Sequence, residues 1–121
     1  MPWIYVQRSG HLLRPDGSHA GMGYSGRLTY RDNPSAQDLP NFGPIQAGFY
    51  TIGWPYNDRK HNKEFVMDLT PLSPISRSGF QIHGDKRGDP GFASEGCIIL
   101  GPTVRAEIAV TGDRVLEVRK Y

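Results

Sequence analysis

Glycine and proline interrupt this chain so often that, outside one segment near the C-terminus, no patterned stretch outlasts a short strand. Fifteen glycines and ten prolines occur among 121 residues. The runs between them alternate apolar with polar side chains, the period of a half-buried strand. Such runs fall at 3–7, 11–13, 47–54, 65–69, 79–84, 96–100 and 113–119. Over 47–54, Tyr50, Ile52 and Trp54 share one face; over 65–69, Phe65, Met67 and Leu69 alternate with Val66 and Asp68. Pro15-Asp16-Gly17 is a turn, because proline pre-sets one dihedral and glycine accepts a positive one.

The exception follows Leu100. Pro102 suits a first helical position, Val104 and Ile108 fall four apart, and Gly112 can close the C-terminus. Arg105 could reach a substrate carboxylate from this helix, but a solvated helix face is the plainer reading. The expected fold is therefore mainly β. It is one domain over 1–121, a β-sandwich or partly open barrel of seven or eight short strands with one short helix.

Between the strands lie segments that composition marks as loops. Residues 31–46 are polar, carry prolines 34, 40 and 44, and exceed the usual connection, which suits a binding role. Residues 55–64 form a charged loop containing His61, and 71–78 lead into the strand at 79–84. Glycines 21, 23 and 26 break a further strand around Tyr24 and Ser25, the mark of a bulge or of a surface that a ligand backbone crosses.

Charge and composition exclude some functions. A formal net charge of +2 without a Lys/Arg stripe does not fit a nucleic-acid binder, whereas mild positive charge suits an anionic polymer such as the cell wall. No apolar run reaches the length of a membrane span, so no membrane insertion is expected. A single cysteine rules out an internal disulfide. The opening residues lack the basic-then-apolar pattern of a secretory signal, which implies synthesis in the cytoplasm without a signal peptide.

The chemistry concentrates in 80–100, FQIHGDKRGDPGFASEGCIIL. His83 leaves one strand on its polar face, and Cys97, the only thiol, enters another after a short connection. Set side by side, these strands let imidazole and thiol meet. A free thiol near neutrality is only a few per cent thiolate, and a neighbouring imidazole supplies the missing base. Gly84 and Gly96 flank the pair and admit a close backbone, such as a peptide substrate. Backbone N–H groups near Cys97 could stabilise an oxyanion, and Ser94 offers a hydroxyl to hold a substrate or a loop. Asp85, or else Asp89, could orient the imidazole, a task that a backbone carbonyl performs equally well. Glu95 would disfavour the thiolate if it faced the sulfur, and strand alternation turns it away. A structural reading stands beside this one, because a cysteine followed by Ile-Ile-Leu also suits a buried small hydrophobe. The four histidines have no close ligand spacing, so neither metal nor cofactor is expected.

Ser94-Glu95-Gly96-Cys97-Ile98 resembles the Ser/Thr-x-Gly-Cys-hydrophobic signature of YkuD-like L,D-transpeptidases, and Ile82-His83-Gly84 resembles their His-Gly element. Gly43-Pro44-Ile45-Gln46-Ala47-Gly48-Phe49-Tyr50-Thr51-Ile52 is similar to their Pro-x-Gly-aromatic-x-Ile turn and strand. With Gly23-Tyr24-Ser25-Gly26 and Asn33-Pro34, the chain resembles the small L,D-transpeptidase-like toxins of bacterial type VI secretion. It departs from the family at Glu95, where histidine is usual, and at Ile99, where a polar or basic residue is usual.

The resemblance implies an L,D-transpeptidase or L,D-carboxypeptidase acting on peptidoglycan tetrapeptide stems. Cys97 is its nucleophile, His83 its base, and Tyr24 and Ser25 belong to the cleft wall. It further implies delivery by a dedicated secretion system to the periplasm of a target cell, and a cognate immunity protein in the producer. Two other readings compete. One is a non-catalytic β-module that binds cell wall or a partner protein, with Cys97 buried. The other is a cysteine endopeptidase or amidase cutting other wall bonds.

Overall fold

The computed structural model describes residues 2–85, 91, 94 and 96–121. Asp89 and Glu95, weighed above as a ring orienter and as a neighbour of the thiol, lie outside the described residues.

The described residues form ten strands, more than the seven or eight expected. They are β1 (Trp3–Val6), β2 (His11–Leu13), β3 (His19–Met22), β4 (Tyr24–Ser25), β5 (Gly48–Ile52), β6 (Tyr56–Asp58), β7 (Lys63–Pro71), β8 (Gln81–His83), β9 (Ile98–Ile99) and β10 (Val115–Arg119). The excess arises because β3, β4 and β6 lie outside the alternating runs. One α-helix, α1, spans Pro102–Val110, and single 3-10 turns lie at Leu28–Tyr30 and Pro34–Ala36. The strands form one sheet in the order β3-β2-β1-β10-β5-β7-β8-β9-β4, with β6 paired to β7. The two ends of that order, β3 and β4, are consecutive in the chain, so the sheet coils back on itself through Gly23. A Cβ there would run into the Ile99 carbonyl, which is why the closure needs glycine. The fold is mainly β with one short helix, as expected from sequence.

Alternation sets the core. Trp3 and Tyr5 of β1, Tyr50 and Ile52 of β5, and Leu116 and Val118 of β10 point inward and are buried. The parallel pair β1–β10 and the antiparallel pairs β10–β5 and β5–β7 lay these rows side by side. Helix α1 adds Ile108, with Val104 packed at its edge.

Three local expectations are corrected. Strand β5 ends at Ile52, so Trp54 does not share its inner face; it is 69% exposed, with the Arg114 guanidinium 4.4 Å from its ring centre. Phe65 has φ +55, which breaks the alternation of β7: Phe65 turns outward while Val66 and Met67 are both buried. Helix α1 closes at Thr111 rather than Gly112, since the Thr111 N–H and hydroxyl both donate to the Ile108 carbonyl. Thr111 keeps a negative φ of −84°, so no left-handed residue is required there.

Candidate active site

The strand that carries the histidine and the strand that follows the cysteine are neighbours. β8 pairs with β9 in parallel, with Ile82 opposite Ile98 and His83 opposite Ile99, and the Leu100 N–H donates to the His83 carbonyl at 3.0 Å. Parallel neighbours need a crossover of about a dozen residues or more, and residues 84–97 supply it. Cys97 sits at the end of that crossover, one residue before β9. It is half-buried, although Ile98, Ile99 and Leu100 behind it are buried completely. Its sulfur lies 3.9 Å from the Gly79 carbonyl, beside the chain entering β8.

His83 is 2% exposed. Its Nδ1 is 2.8 Å from the Gly84 carbonyl. A carbonyl only accepts, so Nδ1 carries the proton and Nε2 keeps its lone pair. The ring is therefore oriented by a backbone carbonyl. Asp85, the carboxylate favoured from sequence for that task, is engaged elsewhere: the Tyr24 hydroxyl donates to it at 2.6 Å, and the Gly91 N–H lies 3.1 Å from both its oxygens.

Burial is the main reason that the imidazole is lowered from 6.5 to about 4; Lys63 and Arg105 lower it further, against the Gly84 hydrogen bond and Asp85. The folded protein thus binds this proton less readily than the unfolded chain does. Stability falls as the pH drops from about 6.5 towards about 4, by about 3 kcal/mol in full. Denaturant midpoints at pH 7 and pH 4.5 should differ less in His83→Gln than in the parent protein.

Ser94 holds the nucleophile loop. Its fully buried hydroxyl donates to the Cys97 carbonyl at 2.6 Å and accepts from the N–H groups of Gly26 (2.9 Å) and Gly96 (3.1 Å). The Gly96 N–H is consequently committed inside the loop and is no oxyanion donor. Ser94→Ala strands two buried donors and should cost about 3 kcal/mol in a denaturant titration.

Ser25, expected on a cleft wall, is instead fully buried. Its hydroxyl donates to the Gly96 carbonyl at 3.2 Å and accepts from the Ile45 N–H at 2.8 Å, so it braces the same loop from behind. Tyr24 is half-buried on β4 opposite Ile99, with Arg31 5.2 Å from its ring centre. Its hydroxyl reaches Asp85, beside the His83-Gly84 step.

The two flanking glycines make room for arginines rather than for a substrate backbone. A Cβ on Gly84 would lie 2.8 Å from Arg105 Nη2, and a Cβ on Gly96 would collide with Arg77 Nη2. Arg77 donates to the carbonyls of Gln37 (2.7 Å), Pro44 (2.8 Å) and Gly43 (3.2 Å), and its guanidinium lies 5.0 Å from the Phe80 ring centre. Burial lowers its pKa, while Tyr50 and then Cys97 act in the opposite sense, so its charge is felt at the thiol. Arg105 is buried, contrary to the solvated face expected of it. A lone arginine in a Pro/Ser-rich loop, such as Arg77, leaves no sequence signal.

The other histidines lie elsewhere. His11 and His19 meet edge to face at 4.8 Å on β2 and β3, and His61 pairs with Asp58 at 2.9 Å. Among the described residues, no three His, Cys, Asp or Glu side chains are grouped to hold a metal ion.

Residues 19–118 match the family profile described as the Tlde1 domain. Among solved structures, the chain is similar to the crystal structure of an Enterococcus faecium L,D-transpeptidase C442S mutant, with a TM-score of 0.57 and 17% identity. That likeness covers 97% of this chain and 48% of the other, so the chain spans about half the length of that protein. No curated protein matches the chain.

Proposed function

The chain belongs to the Tlde1 domain family, and on that premise we propose that it is a YkuD-like, peptidoglycan-modifying cysteine enzyme acting on tetrapeptide stems. The observation that carries this reading is the parallel β8–β9 pair. It lays the His83 strand along the segment that bears Cys97, with Nδ1 tied to a carbonyl and Nε2 left as a base.

In the proposed reaction, the Cys97 sulfur attacks the carbonyl of the third stem residue, a diamino acid, at its bond to the terminal D-alanine. His83 Nε2 takes the thiol proton as the S–C bond forms. The C–N bond then breaks, and the same proton leaves with the D-alanine amine. A thioester remains. Water resolves it to a tripeptide stem and free thiol, the carboxypeptidase outcome; the amine of a D-amino acid resolves it to a new peptide bond, the exchange outcome. An imidazole that titrates near 4 is neutral at pH 7, so it serves as a base during attack rather than as a standing cation. Among the described residues, Arg77 places standing positive charge near the sulfur. It favours thiolate character as the proton departs.

Either outcome removes the donor stems that a wall needs for cross-linking. This suits an antibacterial effector delivered to the periplasm of a target cell, with an immunity protein in the producer. Incubation with purified tetrapeptide muropeptides tests the reading. Tripeptide products with released D-alanine, or stems carrying an added D-amino acid, are expected. Products cut in the glycan or at the amide joining stem to sugar would refute it in favour of another wall hydrolase.

A further inference from the structure

Within the described part of this site, one buried charge lacks a counter-ion. Arg105 rises from α1 and is only 9% exposed. Its Nη1 donates to the carbonyls of Glu64 (2.9 Å) and Phe65 (3.2 Å), which fixes the guanidinium fork from one side. Nε is sealed from solvent without a partner. Nη2 makes no hydrogen bond among the described residues and, unlike Nε, is not sealed. It faces the Gly84 Cα, the residue whose carbonyl orients the His83 ring. Buried guanidinium groups are ordinarily paired with an anion, and Glu64 offers this one a backbone carbonyl and only a more distant charge.

We propose that Arg105 binds the α-carboxylate of the terminal D-amino acid and so holds the leaving residue against His83. This inference rests on the stem-peptide reading above and names the recognition element within it. In the leaving residue, the amine nitrogen and the carboxylate carbon are two bonds apart. An amine that meets the imidazole therefore brings its carboxylate to the Gly84 side, where Nη2 waits. Lys63, at the start of β7, adds positive charge to the same region, and both cations bear on the imidazole. A carboxylate seated there would offset them and make His83 a stronger base once substrate is bound. Glycine at 84 is what leaves the space, since any side chain would press on Nη2. The enzyme would then act on stems with a free C-terminus and pass over amidated or internal bonds.

The test separates this inference from its premise. A Cys97→Ala protein is titrated with N-acetyl-D-alanine and with N-acetyl-D-alaninamide, and again after adding Arg105→Met or Arg105→Lys. In parallel, enzyme with an intact thiol is assayed on tetrapeptides ending in carboxylate or in carboxamide. Loss of a charge-assisted contact should weaken carboxylate binding by about 10- to 100-fold in Arg105→Met. It should weaken binding less in Arg105→Lys, leave the amide unchanged, and erase the preference in turnover. If Arg105→Met lacks a cooperative melt, Gly84→Ala, which crowds Nη2 and keeps the arginine, must give the same loss. Unchanged binding and preference in these variants would overturn the inference while turnover upheld the premise, as would failure of N-acetyl-D-alanine to bind at all. Arg105-dependent binding without any turnover would support the carboxylate site and remove the premise.

Discussion

Replacing Cys97 with alanine is expected to abolish both D-alanine release and D-amino acid exchange on tetrapeptide muropeptides. The loss should be on the order of 10⁴-fold or more, because removing a nucleophile removes the covalent route entirely. The fold should survive. Cys97 is half-buried, and the three hydrogen bonds that fix its loop run through the Ser94 hydroxyl to main-chain groups. A Cys97→Ala protein with a parent-like melt and no activity is thus the anticipated pair of results. Retained release of D-alanine would exclude covalent catalysis by this thiol. Thiol reactivity gives a quick companion reading: with Arg77 acting on it, Cys97 should react with iodoacetamide faster than free cysteine below pH 7.

Replacing His83 with glutamine should lower kcat by about 10²- to 10⁴-fold, the usual range for losing a positioned general base. The pH profile carries more information than the magnitude. The reaction needs the neutral ring, so the kcat/KM of the parent enzyme should fall only as the pH drops through about 4, well below the ordinary histidine range. That acid limb should vanish in His83→Gln along with most of the rate. An acid limb near 6.5 in the parent would mean that the ring is not held neutral by burial in the working enzyme. The same substitution should relieve the acid destabilisation described above, so rate and stability report on one proton from two directions.

Much of the fold was legible because alternation is a local signal. The inward rows of β1, β5 and β10 follow directly from apolar residues spaced by two, and Pro102 with Val104 and Ile108 announced the helix. Phe65 shows where that signal stops. Its positive φ falls where the β6–β7 ladder is irregular, so Phe65 leaves the buried row while Met67 and Leu69 keep to it. Strand β6 itself was hidden in a charged segment, because its residues are largely exposed and carry no apolar pattern.

In the candidate site, residue chemistry marked Cys97, His83 and Ser94, whereas the partners that set their behaviour were invisible. The His83 ring is oriented by a main-chain carbonyl, which no side chain advertises. Ser25 looked like a cleft residue on composition, yet it is consumed by hydrogen bonds that depend on residues 20 and 71 positions away. Arg77 and Arg105 reach Gly96 and Gly84 from distant parts of the chain, and only coordinates reveal that these glycines make room for guanidinium groups.

The covalent intermediate is the most direct test of the central claim. Parent enzyme mixed with a tetrapeptide muropeptide, quenched in acid and weighed intact, should gain the mass of the acyl tripeptide fragment. Proteolysis should place the adduct on Cys97, and Cys97→Ala should show none. Release of D-alanine with no adduct at any quench time, or an adduct that persists in Cys97→Ala, would contradict the account.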